Sequence, residues 1–176
     1  MKLKTHFAAA ASALALLASA AMAKDTVTYA TQLEPPHLDP TGGAAQAIDT
    51  VVYLNIFEGL TRFTPDGAVV PLLAKSWEIS EDGLTYTFTL QEGVTFHDGT
   101  TMDAEDVKFS LDRARAEDST NAQKVLFSAI SDVSVADPQT VVVTLSEPNG
   151  SFLFNLAWGD AVIVAEESAE TLKTAP

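Results

Sequence analysis

The stretch Leu84–Thr100, "LTYTFTLQEGVTFHDGT", decides the fold. Leu84, Tyr86, Phe88 and Leu90 alternate with Thr85, Thr87 and Thr89, and strand side chains point to opposite faces in turn. One face is therefore core and the other wet. Upstream, Trp77-Glu78-Ile79 leads through Ser80-Glu81-Asp82-Gly83 into this strand, and an Asp-Gly pair between two such runs predicts an antiparallel hairpin. Downstream, His97-Asp98-Gly99 breaks the alternation. These residue types raise the question of a catalytic or metal site, but they are also the ordinary material of a turn.

Working outward, "DAEDVKFSLDRARA" has Asp103 and Asp106 where a helix start favours carboxylates, with Val107, Leu111 and Ala114 at helical spacing. A second helix is expected over 122–130. "DVSVADPQTVVVTLSEP" supplies another hairpin with Asp137-Pro138 at its corner and Val141, Val143 and Leu145 as its buried row. The middle of the chain thus reads as α+β with an antiparallel sheet. Before it come a short strand over 27–31, an ordered loop "QLEPPHLDPTGG", a mostly buried helix over 44–60 and the turn Pro65-Asp66-Gly67.

The first residues give a destination. Lys2 and Lys4, an uncharged apolar run from Phe7 to Ala20, and Ala21-Met22-Ala23 form the pattern of an export signal over 1–23. The run is too short for a resident membrane span, which needs about 20 residues. The 176 residues hold no cysteine and carry a net charge of −14. An acidic chain argues against nucleic acid and anionic lipid surfaces, which demand cations.

Catalytic patterns are weak. His37 and His97 lie far apart without the spacing that pairs two imidazoles on a helix face, so a turn is the simpler reading of His97-Asp98-Gly99. No G-x-S-x-G elbow, phosphate loop or dinucleotide fingerprint occurs. Most carboxylates stand at turns or helix starts. Two places look suited to a ligand. Trp158-Gly159-Asp160 puts an aromatic and a carboxylate at a chain crossing between apolar segments, as a cleft wall requires, although a core Trp beside an exposed Asp would give the same letters. The loop 33–46 offers Thr41, Gly42 and Gln46.

Taken in order, "LDP", "IFEGLTRFTPDG", "PLLAKSWEISEDGLTYTFTLQEGVTFHDGTTMDAEDVKFSLDRA" and "VVVTLSEPNGSFLFNLA" resemble the N-terminal part of the family 5 extracellular solute-binding proteins, the dipeptide, oligopeptide and nickel-type components of ABC importers. The resemblance implies a periplasmic binding protein-like fold (type II, cluster C), mixed α/β and α+β, whose first lobe carries an inserted antiparallel subdomain. By that likeness residues 24–60 begin the lobe, 61–156 form the insertion and 157–176 return to the lobe. The chain would then be an N-terminal fragment. The function implied is capture of a peptide or similar small solute in the periplasm by cleft closure, as a monomer, with ABC permease subunits as partners and neither enzymatic activity, cofactor nor metal. A metal-chelate ligand is the alternative, with an exported hydrolase behind it. Nickel-type relatives have an arginine near the crossing where this sequence has Asp160, which suits a ligand with a cationic group. Ligand contacts on this side fall to Thr41, Gly42, Gln46, Trp158, Gly159 and Asp160.

Overall fold

The computed structural model describes residues 26, 28–43 and 45–172, with side chains up to 169. The export signal expected over 1–23 lies outside these residues. The chain divides into units 1–32 and 33–176. In the first unit, the strand expected over 27–31 does not form: Thr28 to Thr31 adopt no regular structure. A lone strand must find a ladder partner for its N–H and C=O groups, and no described strand pairs with these residues.

The second unit opens with helix α1 (Gln46–Val52), less than half the length that the apolar run predicts. After Val52 the chain folds back on itself: the Val52 carbonyl accepts from both Ile56 and Phe57 N–H, and Leu54 takes a positive φ of 61°. Nothing in the sequence marks that turn, because Val51 to Phe57 contains neither Gly nor Pro. Strands β1 (Thr61–Phe63) and β2 (Val69–Pro71) form a small hairpin around Pro65-Asp66-Gly67.

The main sheet has four antiparallel strands in the order β3-β4-β6-β5. These are β3 (Ala74–Ile79), β4 (Thr85–Leu90), β5 (Ile130–Asp137) and β6 (Thr140–Leu145). Both expected hairpins are present, with Trp77 opposite Phe88, Phe88 opposite Val141 and Val135 opposite Val141. Tyr86, Phe88 and Leu90 on β4, and Val141, Val143 and Leu145 on β6, are buried as the alternation requires. Helix α2 (Ala104–Arg115) lies against β5 and β6. Its start is fixed from both sides: Asp103 Oδ1 accepts from Glu105 N–H, and Asp106 Oδ2 accepts from Asp103 N–H. Val107, Leu111 and Ala114 enter the core. Where a helix was expected over 122–130, a single 3-10 turn, Lys124–Phe127, drops Phe127 into that core before β5 begins.

Helix α3 (Phe152–Asn155) carries Phe152 into the core, and a 3-10 turn, Gly159–Ala161, precedes helix α4 (Glu166–Leu172). Between them the chain runs extended. Ala161 and Ile163 join the main core, whereas Val162 and Val164 pack with Tyr53, Phe57 and Phe109 in a second cluster. This segment is held at three points. Gly59 pairs with Val162, Ile163 N–H donates to the Glu58 carbonyl (2.8 Å), and the Ser110 hydroxyl on α2 bonds both Val164 N–H (3.0 Å) and its carbonyl (3.2 Å).

Candidate functional site

The loop ahead of α1 is organised by one carboxylate. Asp39 Oδ1 accepts from Thr41 N–H (2.8 Å) and from the Thr41 hydroxyl (2.7 Å), so an Asp-Pro-Thr turn closes on itself. Both residues are buried. Gly42 follows because a Cβ there would stand 2.9 Å from Asp39 Oδ2. The Thr41 hydroxyl in turn accepts from Arg113 Nη1 (2.7 Å), which ties the loop to the last turn of α2.

At the crossing, exposure is the reverse of the core-Trp reading. Trp158 is 41% exposed, whereas Asp160 is only 6% exposed. The Trp158 ring makes edge contacts with Phe63 and Phe154, both at 6.2 Å between centroids. Gly159 allows close approach of α1: an added Cβ would meet the Asp49 carboxylate at 2.8 Å. Tyr53 from the end of α1 donates to the Ala157 carbonyl (2.6 Å), and burial pushes its phenol up to about 12. The backbone of Asp160 is pinned by Asn121, whose Nδ2 donates to its carbonyl (2.9 Å). Its carboxylate takes no hydrogen bond from any other described residue. Burial, and next the negative charge of Asp49, push the Asp160 carboxyl up to about 6.

These pieces border one cavity of about 870 Å³. It brings Thr41, Gly42 and Asp160 together with His37, Asn121 and Arg113. Gln46, Trp158 and Gly159 are not in its lining: Gln46 is exposed at the start of α1, and Gly159 faces Asp49. Arg113 was not singled out in the sequence, where it reads as one basic residue among three near the end of an amphipathic helix. Only the fold shows that its neighbours Lys108 and Arg115 are both held by Asp112. Among the described residues no group of His, Asp or Glu side chains is arranged to hold a metal. The His97-Asp98 corner is a turn: Asp98 Oδ1 accepts from Thr100 N–H (2.9 Å) and its hydroxyl (2.6 Å), Gly99 sits at φ 90°, and the hydrogen bonds from Thr100 hold the Asp98 carboxyl below the usual range.

An antiparallel four-stranded sheet thus lies between two stretches that pair with each other at Gly59 and Val162, and an open cavity borders the second of them. Residues 68–176 match the model of the bacterial extracellular solute-binding proteins, family 5 Middle. The chain belongs to that family. It is 39% identical over 128 residues to the glutathione-binding protein GsiB of Pectobacterium atrosepticum, covering 73% of this chain and 25% of that protein. Among solved structures, the binding protein AgaA in complex with agropinic acid from A. tumefaciens R10 is similar with a TM-score of 0.74 and 35% identity, over 81% of this chain and 30% of that one. NikZ from Campylobacter jejuni in complex with Ni(L-His) follows with a TM-score of 0.70 and 32% identity, over 81% and 28%. The chain thus spans about a quarter to a third of the relatives it matches.

Proposed function

We propose that this chain forms part of the first lobe of a periplasmic solute-capture protein, which delivers peptides or similar small solutes to the permease subunits of an ABC importer. The observation that carries this reading is the cavity in which the Asp39–Thr41 turn and the buried Asp160 carboxylate border the same space. Family membership and the similarity to glutathione-binding relatives support a peptide-like solute. In this reading the export signal is residues 1–23, residues 61–156 are the inserted subdomain, and the pairing of Gly59 with Val162 is the seam where the lobe resumes.

Thr41, Gly42 and Asp160 form the inner contacts, with Asp160 facing a cationic group of the ligand. Gln46 and Trp158 contact it from outside this cavity, Trp158 offering a partly exposed aromatic face, and Gly159 serves the site indirectly by letting the crossing pass close to Asp49. Capture proceeds by closure of a second lobe over the solute, which removes water without covalent chemistry. A metal-chelate ligand is the second reading, favoured by the similarity to NikZ with Ni(L-His). An acidic Asp160 at the crossing disfavours an anionic chelate.

The test uses the complete protein that contains this chain. Short peptides, glutathione among them, are expected to raise its melting temperature, since a ligand at 100 times its Kd stabilises the native state by about 2.7 kcal/mol. Mass spectrometry should recover the peptides intact. Cleaved peptides would move the protein to the hydrolases, and a melt that responds to no peptide would end the peptide reading.

A further inference from the structure

Arg113 is a half-buried guanidinium that lines the cavity without a carboxylate partner among the described residues. A guanidinium presents five N–H donors in a planar fork. One hydrogen bond is made here, from Nη1 to the Thr41 hydroxyl. That hydroxyl gives its own proton to Asp39, so it has only a lone pair to offer Arg113 and fixes where the guanidinium sits. Asp39 is engaged by both donors of Thr41, and a neutral hydroxyl therefore stands between the two charges.

The other carboxylates do not fill the gap. Asp112, adjacent in the chain, also borders the cavity, but successive helix residues do not face each other. It is held by Lys108 and Arg115: burial alone would raise its carboxyl, but their hydrogen bonds bring it below the usual range. Asp118 and Glu166 border the cavity but are exposed, and Asp160 is buried beside Asn121. A fork with most of its donors unspent, at the wall of a cavity and held from behind, matches the geometry of a carboxylate, which it binds through two parallel N–H···O bonds.

We infer that Arg113 anchors a carboxylate of the captured solute. This rests on the solute-capture reading above and sharpens it: with Asp160 facing a cationic group, the solute class is zwitterionic, an amino-acid-like or peptide molecule with its carboxylate free. The rival role for Arg113 is a latch that only holds the Asp39–Thr41 loop on α2. A latch would support every ligand equally, whereas an anchor discriminates among them.

The experiment is calorimetric titration of the complete protein with di-, tri- and tetra-alanine, each as the free acid and as the C-terminal carboxamide. The expected result is a preference of about 10- to 100-fold for the acid, the size of a charge-assisted hydrogen-bonded contact. Arg113→Gln should shrink that preference to about threefold or less, because acid affinity falls more than amide affinity, and Arg113→Lys, which keeps the charge and a donor for Thr41, should fall between. Should Arg113→Gln not fold, the acid-to-amide ratio of Arg113→Lys is read in its place, and a ratio equal to wild type overturns the anchor. Parallel loss of acid and amide in either variant makes Arg113 a latch. Equal binding of acid and amide by wild type overturns this inference while leaving solute capture standing, and no binding of any of these peptides overturns both.

Discussion

The raised carboxyl of Asp160 makes stability depend on pH with a definite sign. Its folded-state value of about 6 stands above the roughly 3.9 of an unfolded chain, so between those values the native state holds more proton than the unfolded one. Stability from this group is complete below about pH 4, falls as pH rises through the window and stays low above about pH 6. Asp160→Asn removes the charge while keeping the shape. Urea unfolding at a series of pH values should show the variant gaining stability relative to wild type as pH rises from 4 to 6, by roughly 1–2 kcal/mol once solvent screening is allowed for. An unaltered pH profile would mean that Asp160 is solvated. The same variant should bind cationic solutes less well, a cost that a buried functional charge normally imposes. None of this was legible in the letters Trp-Gly-Asp, which gave the two residue types but not their exposure. Asp160 is enclosed by Asn121 and by the approach of Asp49, residues 39 and 111 positions earlier in the chain, and burial set by such distant partners leaves no local pattern.

At the level of elements, local signals were readable wherever local chemistry settles the outcome. The period of two in Thr85–Leu90 and Thr140–Leu145 located both hairpins, and Asp103 with Asp106 marked where α2 begins. Asp103→Ala should cost about 1 kcal/mol, measured as a shift in the urea midpoint at constant slope, because it leaves the Glu105 amide without its acceptor. A variant as stable as wild type would show that the first turn is held by packing alone. Two of the misjudged elements, those over 44–60 and 27–31, were decided by distant partners. The helix expected over 44–60 stops at Val52 because Tyr53 is drawn to the Ala157 carbonyl and Phe57 to Val162 and Val164, contacts made more than a hundred residues away. The strand expected over 27–31 had the right composition, but a strand exists only through its partner.

For unit 33–176 as a whole, the question is whether the proposed insertion, residues 61–156, is a folding unit in its own right. It contains the four-stranded sheet, α2, Phe127 and Phe152, hence nearly all of the main core. Leu60, Ala161 and Ile163 are the buried residues of that core supplied from outside it. The seam also carries backbone bonds, since Leu72 and Ala74 N–H donate to the Leu60 carbonyl and Leu73 N–H to that of Gly59. A piece spanning 61–156 should therefore fold cooperatively, with the Trp77 near-ultraviolet dichroism of the intact chain, yet be less stable by roughly 3–6 kcal/mol, the worth of burying a Leu and an Ile plus a few exchanged hydrogen bonds. Starting the piece at Gly59 restores the Leu60 side chain and those backbone acceptors, and should recover about half of the deficit. A broad, non-cooperative melt of both pieces would show that the sheet needs the returning segment 157–165 to fold, and the boundary at 61 and 156 would then mark no independent domain.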